Sequence, residues 1–469
     1  MKPTPVHSPL TRRRFLALSG LAMAAPTLVP RSALGRGDQP APSERTTMGI
    51  VGWGMMGPGN TGNFLGFKDC QIVAACDLDR NNLQKALDRV NGHYKNQDCR
   101  PYHDFREMMA RPDIDAVMLA VPDHWHALLA VEAAKNGKDI YGEKPLARTI
   151  AEQQAIVKAV QHHRRVWQTG SWQRSERNFH YGAEVVRNGL IGKLRRVEVG
   201  LPAGHHDFAG TVKALMEKLA TLPDHPKDLS RIVPGTPAWD LAVSEPPPEL
   251  DYNLWIGPAQ MEPYIRTRVF MNWRWNYNTG GGQLLDWIGH HGDIAHWGMD
   301  SDNSGPLEVE ATGEFPPRNA IWNTCTKYRI TAKYPNDVEM VMAGGHDDIR
   351  NGTKWIGTDG WVWVNRGNAF EASNPDWADR RRLPDDLRRI KLYESDNHWR
   401  NFLDCVKTRQ PTITPVETAH HSAIPGHLGL IAMLVGRKIR WDAAREIIID
   451  DAEASQLLTR TYRAPWKLA

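Results

Sequence analysis

The sequence predicts a two-domain α/β protein: an N-terminal Rossmann dinucleotide-binding domain, then a C-terminal α/β domain with an open, mainly antiparallel sheet. Three observations carry that prediction. A glycine fingerprint, Gly52-Trp53-Gly54-Met55-Met56-Gly57, directly follows the apolar run 48–51. Between 47 and 168, short apolar runs alternate with helical stretches such as 127–135, the pattern of parallel strands joined by right-handed crossovers. Beyond 168 the texture changes to alternating segments, 194–199, 308–312, 328–332, 338–341 and 361–364, each expected to cover one sheet face.

The fingerprint sits in the context its chemistry requires. Gly52 permits a tight strand-to-helix turn, Gly54 lets the backbone approach a pyrophosphate, and Gly57 lets the helix lie close on the sheet. Phosphate charge is expected on the free amides of the helix start, with Met56 among the residues that hold it. Asp77 closes the next apolar run, 71–75, twenty residues after Gly57. Its carboxylate would accept hydrogen bonds from ribose hydroxyls and repel a 2′-phosphate, favouring NAD over NADP; Arg80 is near enough in sequence to soften that preference.

Two later strand ends also carry polar residues. In Val121-Pro122-Asp123-His124-Trp125-His126, Asp123 is placed to cap a helix, while Pro122 and His126 are candidates for the cofactor pocket. In Gly142-Glu143-Lys144-Pro145, Glu143 is assigned to the same pocket and Lys144 to catalysis, held between an acid and a proline.

The N-terminus reads as an export signal over 1–25. Thr11-Arg12-Arg13-Arg14-Phe15-Leu16 precedes an apolar stretch far shorter than the roughly 20 residues a bilayer span needs. Removing its Lys2, Arg12, Arg13 and Arg14 would take the formal charge from +4 to about zero, so no nucleic-acid patch is expected. A twin-arginine translocase would be the export partner, the destination periplasmic or otherwise outside the cytoplasm, with no stable membrane insertion. A linker is expected over 26–46, the nucleotide domain over 47–168 and the substrate domain over 169–469, with 201–250 a Pro-rich insertion or lid. Five scattered cysteines without CxxC spacing indicate neither zinc nor a disulfide framework. No metal is expected at His205-His206-Asp207 or among His290, His291, Asp293 and His296, which lack HExxH spacing.

The strongest signal of the second half is the run from Gly280 to Asp293. A glycine turn leads into a predicted helix on which Asp286 and His290 stand four apart and share a face. A carboxylate would thus stand near an imidazole whose ordinary pKa of about 6.5 suits proton transfer.

With these motifs the chain resembles the glucose-fructose oxidoreductase, inositol dehydrogenase and rhizopine-catabolism oxidoreductases. The resemblance covers nearly everything after 47 and rests on the glycine fingerprint, Glu143-Lys144-Pro145, and Asp286 with His290. It implies that Lys144 contacts the reacting hydroxyl and the nicotinamide, that the peptide before Pro145 is cis, and that His290 is the general base supported by Asp286. The segment 121–126 is similar to the family's Thr-Pro-Asn-x-x-His turn, with Val121 and Asp123 in the places of Thr and Asn. The resemblance also implies a secondary alcohol of a sugar, glycoside or polyol as substrate. Eighteen tryptophans are enough to serve both core and ligand, and Trp273, Trp287 and Arg174 are the candidate substrate contacts. An exported enzyme without a free NAD supply would hold its cofactor tightly. Net oxidation, a redox-neutral glycosidase acting by transient ring oxidation, and a non-catalytic nucleotide-binding sensor all stay open, and a homo-oligomer is expected.

Overall fold

The computed structural model describes residues 40–378, 387 and 389–468, so the expected export signal and most of the linker lie outside the described residues. The chain divides into two units, Met1–Arg45 and Thr46–Ala469. The described part of the first holds one short 3₁₀ turn, Pro42–Glu44.

The second unit opens with a six-stranded parallel sheet: β1 Thr46–Val51, β2 Cys70–Cys76, β3 Arg100–Tyr102, β4 Ala116–Leu119, β5 Asp139–Gly142 and β6 Trp167–Thr169. Its strand order is β3-β2-β1-β4-β5-β6. The order reverses between β1 and β4, and in such sheets the crevice beyond the strand ends at that point receives the ligand. All four residues of β4 are buried, as expected of a central strand covered on both faces.

The second sheet has nine strands: β7 Leu194–Leu201, β8 Glu308–Glu314, β9 Lys327–Tyr334, β10 Val338–Gly344, β11 Gly352–Gly357, β12 Trp361–Asn365, β13 Ala369–Ala372, β14 Ile439–Asp442 and β15 Ile447–Ile448. They run β13-β12-β11-β7-β10-β9-β8-β14-β15, antiparallel except where β7 pairs with β10. The alternation in β9, where Tyr328, Ile330, Ala332 and Tyr334 point inward, is the pattern read in the sequence. These residues share a core with Phe179, Leu285, Ile294 and Leu428 from the helices laid on one face.

Two expectations about organisation change. The division at 168 does not partition the cores, because helix His398–Thr408 returns to the first sheet. Its Phe402, Leu403 and Cys405 pack with Met48, Ile50 and Phe64, which closes apolar surface that the first sheet leaves open. The segment 201–250 shares a small core with later parts of the chain, in which Leu219, Leu229, Ile232 and Ala242 pack against Trp275 and Trp322. Its far end binds the nucleotide domain through Arg80 N to Glu249 O at 3.0 Å and Asp251 N to Leu78 O at 3.1 Å.

Candidate active site

The cleft at the switch point is built on the fingerprint. Gly52 has φ +91°, and a Cβ there would stand 2.3 Å from the Ala120 carbonyl oxygen, so β1 and β4 approach as closely as they do only with glycine. At Gly57 a Cβ would meet the Gly52 carbonyl at 2.2 Å, whereas at Gly54 it would meet nothing within 4 Å. The backbone at Gly54 therefore faces open space, and the cleft fits a dinucleotide phosphate group at the free amides of the following helix, Gly57–Leu65.

Gly52, Gly54, Met56, Asp77, Pro122, Glu143, Lys144, Trp273 and Arg274 all line this cleft. Asp77 accepts from the amides of Trp53 at 2.7 Å and Asp79 at 2.9 Å. Burial nevertheless pushes its carboxyl up to about 6, so it is charged at neutral pH. Arg80 is exposed and does not line the cleft. Glu143 is buried, raised by that burial, and takes a hydrogen bond from Asn60 Nδ2 at 2.8 Å.

At the inner end of the cleft the Lys144–Pro145 peptide is cis, and Lys144 reaches over the second domain. Its Nζ donates to Asp286 Oδ1 at 3.1 Å and to the Asp286 carbonyl at 3.0 Å. An ammonium has three donors, so one is left for a substrate oxygen. The stem crosses Gly289, where a Cβ would stand 2.9 Å from that of Lys144. Asp286 also accepts from Arg274 Nε at 3.1 Å. Burial alone would raise the Asp286 carboxyl, but Lys144 and Arg274 outweigh it and hold it below the usual range.

The helix expected through 280–293 is not continuous. Gly282–Trp287 is α-helical, Ile288–Gly292 widens into a single π-type turn, and Asp293–Gly298 resumes the α-helix. Such insertions re-aim side chains and recur at functional sites. Here the Asp286 carboxylate turns to Lys144 and Arg274 and makes no hydrogen bond to His290 among the described residues, contrary to the expected support of the base. His290 is buried with its Nδ1 unpartnered. Burial, then the charges of Lys144 and Arg366, hold its pKa well below the ordinary histidine value, so the imidazole is neutral.

Trp287 and Trp172 flank His290 at ring separations of 5.3 and 6.1 Å. Between them lies Arg366, its guanidinium 4.6 Å from the Trp172 ring and 4.5 Å from that of Trp287. Arg366 carried no signal in the sequence, since it arrives from the turn after β12.

Other expectations need correction. Arg174 does not face a ligand: it is 2% exposed and fully engaged by Asp293 at 2.8 and 2.9 Å and Asp302 at 2.7 and 2.8 Å. His126 is not in the cleft lining; its Nδ1 lies 2.7 Å from the Pro145 carbonyl and its Nε2 2.9 Å from that of Val121, so it braces two strand ends. Asp123 caps nothing. It is buried with Oδ1 unpartnered, and burial, with the nearby Asp286 charge, pushes its pKa up to about 7. The crowded histidines separate as well: Asp293 serves Arg174, while His296 bonds Tyr334 Oη at 2.6 Å and the Ser301 carbonyl at 3.0 Å.

Comparison with known proteins agrees with this architecture. Residues 46–171 match a family model described as oxidoreductase family, NAD-binding Rossmann fold, and residues 236–468 one described as oxidoreductase family, C-terminal alpha/beta domain. An inositol 2-dehydrogenase of Salmonella typhimurium is 30% identical over 166 residues, 35% of this chain and 46% of that one. A glycosyl hydrolase family 109 protein of Shewanella woodyi is 29% identical over 187 residues, 38% of each chain. The matched stretch thus spans less than half the length of these relatives. Among solved structures, the WlbA dehydrogenase of Bordetella pertussis in complex with NADH and UDP-GlcNAcA superposes with TM-score 0.59 at 16% identity, covering 85% of this chain and 98% of that one. The aldose-aldose oxidoreductase of Caulobacter crescentus gives TM-score 0.57 at 17% identity over 84% of this chain and 99% of that one. At such identities the likeness is one of fold.

Proposed function

Because this chain belongs to the glucose-fructose oxidoreductase, inositol dehydrogenase and rhizopine-catabolism oxidoreductase family, we propose that it oxidises a secondary hydroxyl of a sugar, glycoside or polyol with NAD. The observation that carries this reading is the meeting of Lys144, which lines the nucleotide cleft, with Asp286, next to the π-type turn that holds a neutral His290. Bound nicotinamide would supply the hydride acceptor. Lys144 turns its remaining N–H toward the substrate oxygen and stabilises negative charge there, while His290 takes the hydroxyl proton. Asp286 fixes the ammonium, and Trp287 with Arg366 offers an apolar face and donors to a ring bearing hydroxyls. The charged Asp77 favours NAD over NADP.

A redox-neutral glycosidase is the second reading, favoured by the similarity to glycosyl hydrolase family 109 proteins. The same residues would then act twice, before and after loss of the aglycone. Export through a twin-arginine translocase, a location outside the cytoplasm and a tightly held cofactor complete the proposal, supported by Arg12-Arg13 and the apolar stretch behind them. A second copy of the chain is proposed as partner. Identification of the nucleotide released on denaturation, followed by incubation with a panel of free sugars and glycosides, tests the reading. Ketone products support oxidation and released aglycone the glycosidase; neither product in the presence of bound nucleotide would remove both.

A further inference from the structure

Away from the cleft, the helix Val416–Val435 begins beside the turn between β14 and β15. There His420 and His421, adjacent on the helix, converge on one carboxylate oxygen. His420 Nε2 lies 3.0 Å from Glu446 Oε1 and His421 Nε2 3.4 Å from the same atom. All three ligand atoms lie within 4.8 Å of one another.

The proton arithmetic of this cluster is informative. His421 Nδ1 faces the Asp302 carbonyl at 2.9 Å, which can only accept, so the proton is on Nδ1 and Nε2 presents a lone pair. Gln153 Nε2 donates to His427 Nε2 at 2.8 Å, which leaves Gln153 Oε1 to accept from His420 Nδ1 at 2.9 Å. His420 Nε2 therefore also presents a lone pair. Two bare imidazole nitrogens thus face a carboxylate oxygen. With both Nδ1 atoms directed at oxygen acceptors, both Nε2 atoms are turned to the same carboxylate oxygen. A divalent cation satisfies all three donors with no added proton.

The dimensions agree. Ligands about 2.1 Å from a tetrahedral ion are separated by about 3.4 Å, close to the two spacings from Glu446 Oε1. Each ligand also has the outer partner that metal ligands usually have, Gln153 and the Asp302 carbonyl for the rings and Gln154 Nε2, 2.9 Å from Oε2, for Glu446. Glu446 is held at φ +52°, a conformation uncommon outside glycine and asparagine. His421 and Glu446 are only partly buried, so water can complete the coordination. We propose that His420, His421 and Glu446 bind one divalent transition-metal ion of the zinc type, which ties the start of this helix to the β14–β15 turn.

Calorimetric titration of the chelator-treated full chain with Zn²⁺ alone tests this, with melting temperature followed in parallel. The expected result is one tight equivalent per chain that raises the melting temperature. It should be abolished in His421→Ala and in Glu446→Gln, and weakened about 10- to 100-fold in Gln153→Leu, which removes only an outer partner. Should a substitution impair folding, the visible absorption of Co²⁺ added to the unsubstituted chain reports nitrogen and oxygen ligation directly. Absence of a tight equivalent in the unsubstituted chain, or its persistence in a folded His421→Ala/Glu446→Gln double variant, would overturn the assignment and leave a hydrogen-bonded cluster.

Discussion

Lys144 Nζ donates to both the carboxylate and the carbonyl of Asp286, at 3.1 and 3.0 Å, across the boundary between the two sheets. A residue of the second domain thereby fixes the Lys144 ammonium at the nucleotide cleft. Asp286→Asn should lower kcat by roughly 10²-fold through misplacement of Lys144, with KM little changed and nucleotide still bound. Steady-state kinetics separates the two parameters, and an unaltered kcat would show that Lys144 is positioned by something else.

His290→Ala and Lys144→Ala should each abolish turnover, by roughly 10²-fold or more, while nucleotide binding survives. Nucleotide content of the purified variants and their rates on a confirmed substrate are the two readings. Near-native rates in either variant would remove it from the chemistry.

Because burial pushes Asp77 up to about 6, its charge is present at pH 7 and lost as pH falls through that value. Repulsion of a 2′-phosphate should fade with it. The ratio of NADP to NAD dissociation constants should shrink between pH 7 and pH 5. A ratio independent of pH would assign the discrimination to another group.

Arg174 is buried between Asp293 and Asp302, so its removal should act on stability rather than on substrate affinity. Arg174→Ala leaves the buried Asp293 and the partly buried Asp302 carboxylates uncompensated and is expected to cost about 3–5 kcal/mol. Denaturant unfolding measures this. A variant of unchanged stability with a raised KM would restore the substrate-contact reading.

Replacement of both Arg12 and Arg13 by lysine should hold the protein in the cytoplasm, folded and carrying nucleotide. Cell fractionation with nucleotide analysis of the retained protein checks both parts of that statement.

The fold was legible because its signals are local. Strand period, the glycine spacing and the alternation of β9 lie within short windows, and each survives in the structure. What was not legible depends on distant chain segments. Arg174 reads as a free arginine until Asp293 and Asp302 arrive from more than a hundred residues away. Arg366 has no motif, yet it stacks between Trp172 and Trp287. The spacing of Asp286 and His290 suggested a shared helical face; a π-type turn over 288–292, which no hydrophobic period announces, interrupts that helix at His290, and the Asp286 carboxylate pairs with Lys144 and Arg274. His126 looked like a pocket residue because its motif is near one, but two backbone carbonyls claim its ring nitrogens.

The central claim is that this cleft oxidises a sugar hydroxyl, and nicotinamide absorbance under single-turnover conditions tests it most directly. The NAD-loaded full chain would be mixed with each member of a panel of sugars, glycosides and polyols. Reduced nicotinamide should appear with at least one secondary alcohol, and fail to appear with the same compound in His290→Ala. A nucleotide that stays oxidised with every compound, in protein shown to be folded and loaded, would contradict the account.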